Sequence, residues 1–115
     1  MINLTPHAIV ILNDESEEVI SFDPSGIIAR VTTSEKEVGV WNCDGDYVAI
    51  VVGEKGEVTG LPEDKDEQFL VSGMVLDALG PEYHGIAFAP DTGATAIRNS
   101  AGHIVGVTRL RTVAK

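Results

Sequence analysis

A chain of 115 residues with 43% hydrophobic side chains has room for one domain whose core needs no disulfide, and its single cysteine, Cys43, excludes an internal disulfide or a multi-cysteine zinc site. The net charge of −10 opposes binding to duplex nucleic acid, and an aromatic content of 5% weakens any stacking platform for single strands. The charge is uneven: after Pro90 the only acidic residue is Asp91, against Arg98, Arg109, Arg111 and Lys115, so a basic end capable of focusing a small anion closes an acidic chain.

Residues 2–12 are rich in Ile, Val and Leu and are interrupted at Thr5-Pro6-His7, which predicts a strand pair or a strand with a proline-marked break. The run is too short to span a bilayer and lacks a basic leader and a small-residue cleavage site, so it reads as mature structure of a soluble, cytoplasmic protein. His7, titrating near neutrality, is a candidate ligand contact or general base, and Thr5 stands beside it; the alternative is a turn in which His7 serves the backbone. The acidic stretch 13–18 predicts a turn, and Val19, Ile20 and Phe22 a short strand ended by Asp23-Pro24-Ser25-Gly26, so a hairpin is expected between residues 7–12 and 18–22. A further strand is expected over 27–33, with Arg30 turned to a site or to solvent.

Asp44-Gly45 is a tight-turn pair, and the following YVAIVV of residues 47–52 predicts a largely buried strand. Trp41 reads as a core or interface anchor, with stacking on a planar ligand as the alternative. Residues 53–60 predict a turn and a short segment. The polar run 62–68 predicts an exposed loop that lacks the ligand spacing of a calcium loop. Phe69–Val71 starts as a strand; Ser72 is a candidate N-cap, Val75, Leu76 and Leu79 have helical spacing, and Gly80-Pro81 is a stop, which predicts one helix over 72–79. Ser72 and Gly73 thereby join the candidate site, because a strand running into a helix start presents free amides to an anion.

Ile86–Phe88 predicts a short strand leading to a turn at Asp91-Thr92-Gly93. A hairpin is expected from a strand over 94–98, a turn over 99–102 and a strand over 103–112. With Arg98 opposite His103, alternation puts Arg98, Arg109 and Arg111 on one face and Ile97, Ile104 and Leu110 on the core face; a slip of one residue would separate Arg98 from the other two. The whole reads as α+β: a single β-rich domain over 1–115 with about seven mostly antiparallel strands and one short helix.

Asp91-Thr92-Gly93 resembles the catalytic triplet of aspartic proteases, but too little chain follows it for the rest of such a fold. No nucleophile with a paired base and no metal-ligand pattern is legible, so neither a catalytic residue, a metal nor a cofactor is assigned. Asp91 suits an arginine-orienting carboxylate or an acceptor for ligand hydroxyls, and Gly93 a close backbone approach; the alternative is an Asx turn with Gly93 at positive φ. The candidate ligand-binding set is therefore Thr5, His7, Ser72, Asp91, Thr92, Gly93, Arg98, Arg109 and Arg111. Arginine is the informative residue in it, since its planar fork matches phosphate or carboxylate.

The opening INLTPHAI, the segments VSGMVLDAL and APDTGATAIR, and the closing IVGVTRL resemble a family of small proteins of phages and prophages, over nearly the whole chain. The resemblance implies a small accessory protein acting in the host cytoplasm. With the charge map, it leads to the expectation of a non-catalytic nucleotide-binding protein that sequesters a nucleotide immune signal, built as a homo-oligomer whose subunits share pockets. Two other classes stay open: an acidic protein-binding module using residues 14–18 and 63–67, and a small nucleotide-cleaving enzyme with His7, Asp91 or His103 as acid or base.

Overall fold

The computed structural model describes residues 1–64 and 66–115. Ten strands are present among them: β1 (Ile2–Asn3), β2 (Ile9–Leu12), β3 (Glu18–Phe22), β4 (Arg30–Cys43), β5 (Asp46–Thr59), β6 (Phe69–Leu70), β7 (Ala87–Pro90), β8 (Ile97–Arg98), β9 (Ile104–Gly106) and β10 (Leu110–Thr112). One α-helix, α1 (Gly73–Asp77), and a single 3-10 turn over Pro81–Tyr83 lie between β6 and β7. The β-rich α+β class is thus as the residue pattern predicts, with more strands than expected, two of them, β4 and β5, 14 residues long. Of the exposed loop expected over 62–68, Lys65 lies outside the described residues.

A four-stranded mixed sheet in the order β1-β6-β7-β10 forms the centre; β1 and β7 both run parallel to β6, and β10 closes the sheet antiparallel to β7. Parallel neighbours need a crossover, and the helical stretch between β6 and β7 supplies it. Ser72 accepts from the Val75 amide at 3.3 Å and caps α1, while Val75 and Leu76 turn inward onto Leu4, Ala29, Phe69, Val71, Ala87 and Ala89. Small alanines on β7 let the helix approach the sheet, and Tyr83 meets Phe69 edge to face at 6.1 Å.

The hairpin predicted from residues 7–12 and 18–22 is β2–β3. Its turn is an Asx turn: the Asn13 side chain accepts from the amides of Glu15 and Glu17. Asn99 does the same for Ala101 and His103 at the tip of β8–β9. The two hairpins meet where the Leu12 amide donates to Val107 O at 2.8 Å and the Val107 amide to Val10 O at 3.0 Å. Gly106 is required there, since a Cβ on it would stand 2.6 Å from Leu12 Cδ1.

Three expectations are corrected. Residues 103–112 are not one strand: β9 ends at Gly106, and β10 joins β7 in the central sheet. The core residue of that stretch is Val107, at 3% exposure, whereas Ile104 is exposed and Ile97 only half-buried, where a bulge between Ile97 and Arg98 shifts the β8–β9 register, and Leu110 is half-buried where it pairs with Pro90 of β7. Third, residues 47–52 are not buried and Trp41 is not in the core: Tyr47, Val48, Ile50 and Trp41 all stand open to solvent, Trp41 at 56%. They belong to a long hairpin, β4–β5, that turns at Asp44 (φ 49°) and Gly45 (φ 92°) in the mirror-image geometry suited to two-residue loops. Only its root is anchored, by Val31 and Val58 against the core, and the molecule measures 58 × 40 × 28 Å as a result.

Asn3 organises the entry of the chain. Its amide is 2% exposed and donates to His7 O at 2.8 Å and Phe22 O at 2.9 Å, while its Oδ1 accepts from the Thr5 amide and hydroxyl at 2.9 and 2.7 Å. Replacing it strands buried partners, so Asn3→Ala is expected to lose about 2–3 kcal/mol of stability in chemical denaturation. Gly106→Ala, which forces Leu12 aside, is expected to lose about 1–3 kcal/mol in the same measurement.

Candidate functional site

The Asn3 network bends Thr5-Pro6-His7 outward from β1 and makes that bend the wall of an open cleft of about 550 Å³. Facing it are the β6–α1 junction at Ser72 and Gly73, the end of β7 at Pro90, Thr92, and Arg111 of β10. Ile9, Val10, Ile104 and Val105 supply an apolar side, brought together by the contact between β2 and β9. Of the candidate residues, Thr5, His7, Ser72, Thr92 and Arg111 line this cleft; Asp91, Gly93, Arg98 and Arg109 do not.

The arginines are held apart. Arg98 donates to Gly102 O at 2.9 Å across its own hairpin turn, and Arg109 places Nε and Nη2 at 3.0 and 2.6 Å from Asp91 Oδ2. Arg111 bonds Asp77 of α1 at 2.9 Å, and its Nη1 would lie 3.6 Å from a Cβ on Gly73. The shared arginine face is therefore not formed: Arg98 sits in the β8–β9 ribbon, Arg109 precedes β10 and is held by Asp91, and Arg111, within β10, is held by Asp77 of α1.

Asp91 has both roles weighed for it in part. Its Oδ1 accepts from the Gly93 amide at 3.2 Å, an Asx turn, and its Oδ2 orients Arg109. Gly93 itself is not at positive φ. The Gly93 amide, and then the Arg109 guanidinium, hold the Asp91 carboxyl below its ordinary value of 3.8.

Thr5 is 8% exposed and its hydroxyl lies within hydrogen-bond distance of both Asn3 Oδ1 and His7 O, so its first task is to shape the bend. His7 is exposed, and among the described residues no hydrogen bond orients its ring. Ser72 spends its acceptor on the Val75 amide and keeps its hydroxyl proton free to donate. Among the described residues no group of three or more His, Cys, Asp or Glu is placed to hold a metal ion, and no helix is long and apolar enough to cross a membrane. The apolar wall of Ile9, Val10, Ile104 and Val105 was not foreseen as part of a site, because as sequence these residues read only as strand. The chain matches no known protein family, no curated protein and no solved structure.

The lowered Asp91 value makes a signed expectation. A carboxylate whose folded-state pKa lies below its unfolded one stabilises the fold above the unfolded value and loses that contribution as pH falls through the folded one. Carboxyl titration by NMR is expected to place the Asp91 midpoint below 3.8, and Arg109→Ala to raise it part of the way back, with the Gly93 amide still holding it down.

Proposed function

We propose that the cleft binds a small anionic ligand, a nucleotide, and keeps it intact, so that the protein acts by sequestration. The observation that carries this reading is Arg111, a cation that lines a cleft together with the apolar Ile9, Val10, Ile104 and Val105. A volume of about 550 Å³ falls within the range of small-molecule sites, and a few polar groups on a largely apolar surface are the usual means of orienting such a ligand. Asp77 engages one amino group of Arg111, leaving the rest of the fork for phosphate oxygens. The Ser72 and Thr92 hydroxyls stand in the same cleft as added donors, and Ile9, Val10, Ile104 and Val105 give a base a surface to lie on. Arg98 and Arg109, bonded elsewhere, are outside this ligand set.

Sequestration of a nucleotide immune signal, the role expected of a small accessory protein in a host cytoplasm, needs a binding cleft and no catalytic group. A nucleotide-cleaving enzyme would require a base oriented at the scissile bond, and His7 has no such partner among the described residues.

Calorimetric titration against cyclic and ADP-ribose-derived nucleotides is expected to show binding by the native protein, with the ligand recovered unchanged by mass spectrometry. Arg111→Ala is expected to weaken it by about 10- to 100-fold, the worth of a charged hydrogen bond, and Arg98→Ala to leave it unchanged. Absence of binding across the panel overturns the reading, and recovery of altered nucleotide assigns the cleft to an enzyme instead.

A further inference from the structure

The β4–β5 hairpin is built from two 14-residue strands, and its outer half is packed only by itself. Val40, Trp41, Tyr47, Val48, Ile50 and Val52 remain between 46% and 74% exposed. An isolated two-stranded ribbon is marginal in water, and an open apolar ribbon invites association. The surface area makes the same point quantitatively. The chain exposes 7681 Å² at 12.2 kDa, about 1,600 Å² more than the roughly 6,000 Å² of a compact monomer of that mass. An excess of that size is what each subunit of a large, stable homodimer covers, since a standard interface takes only about 800 Å² per partner.

The register identifies the occupant. Residues directly opposite in an antiparallel pair share a face, so one face of the arm carries, from the tip inward, the rows Cys43–Asp46, Trp41–Val48, Gly39–Ile50 and Lys36–Val52. The other face carries the rows Asn42–Tyr47, Val40–Ala49 and Glu37–Val51, and within these rows Glu37 has no cation to meet it. The first face complements itself. A twofold axis running across the strands between the Trp41–Val48 and Gly39–Ile50 rows sets each Trp41 over Gly39 of the second copy. There is room for it, as a Cβ built on Gly39 meets nothing within 4 Å. The same axis stacks β4 on β4 and β5 on β5 and brings the Cys43–Asp46 row against the Lys36–Val52 row, so Asp46 of one copy lies diagonally across from Lys36 of the other, within reach of the long lysine side chain, at both ends of the contact. Between these ends, residues 38–43 and 47–52 carry no charge to desolvate.

We propose that the arms of two copies pack antiparallel through this face and hold the protein as a homodimer, with Trp41 on the second copy's Gly39 and reciprocal Asp46–Lys36 pairs. One self-complementary patch is enough to close such a dimer, and no second surface is consumed. The proposal is independent of the ligand assigned to the cleft.

Sedimentation equilibrium of the full chain tests it, together with the emission of Trp41, which is the only tryptophan. The native protein is expected to sediment as a dimer at micromolar concentration, with emission that shifts to the red on dilution as the indole is uncovered. Trp41→Glu is expected to weaken association by about thirtyfold or more, as for a central tryptophan anchor, with the circular dichroism of the fold retained. Lys36→Asp is expected to weaken it less, and addition of Asp46→Lys to that variant to restore it, a recovery that mere unfolding would not produce. A monomeric native protein, an oligomer indifferent to Trp41→Glu, or a charge swap that restores nothing each overturns the proposal.

Discussion

The fully bonded Asn3 amide is the constraint on which the arrangement of this molecule depends. A buried amide must find partners for its oxygen and its amino group, and Asn3 finds them in Thr5, His7 and the end of β3, three points that no regular element would bring together. Around it the backbone of residues 2–4 is shared between two neighbours: Leu4 donates to Leu70 O of β6, while Asn3 O and Leu4 O accept from Ser25 and Ala29. The entry strand is thereby locked into the central sheet. Its bend is thrust toward the cleft, and the segment that starts the long arm is tied down one residue before Arg30.

The basic end of the chain shows how local pairing redistributes a charge that sequence counting treats as one patch. Arg98, Arg109 and Arg111 lie close together in sequence, but each has its own acceptor: a turn carbonyl, Asp91 and Asp77. An arginine bonded to a carboxylate presents a dipole more than a bare charge, and ion pairs this exposed add little stability. Their worth is in orientation. Asp77 sets the Arg111 fork beside Gly73, where absence of a side chain leaves space, so a cleft of mainly apolar walls acquires one directed cation.

Cleft and arm are separate consequences of the same economy of size. With the largest fully buried side chains confined to Phe69, Leu70 and Val71, the core around α1 is small, and most of the apolar residues of the β4–β5 arm lie outside it. An apolar ribbon that finds no partner within its own chain is most simply stabilised by a second copy, whereas the cleft exists because the two shorter hairpins meet edge to edge and leave the bend at His7 uncovered. The proposed dimer contact and the proposed ligand cleft thus lie on different surfaces and place no conflicting demands on one another.

Local chemistry was legible from the residues alone. The β2–β3 hairpin, the Asp44–Gly45 turn and the Ser72 cap each follow from interactions within a few positions of sequence and stand where the pattern puts them, while the helix expected to run to Gly80-Pro81 already ends at Asp77. Of the candidate ligand-binding residues, Thr5, His7, Ser72, Thr92 and Arg111 line one cleft. What the residues could not specify was which apolar stretch has a partner. YVAIVV has the composition of a buried strand, yet burial is a property of the surroundings, and only the tertiary structure shows it in an arm with nothing against it. The same holds for the final strand. Alternation assumes one continuous pairing, whereas the bulge at Ile97 and the attraction of Leu110–Thr112 to the open edge of β7 split it in two. Turn types, capping and strand propensity were therefore set by the sequence itself, while the identity of neighbours, and with it the separation of the arginines and the exposure of Trp41, was decided by long-range pairing.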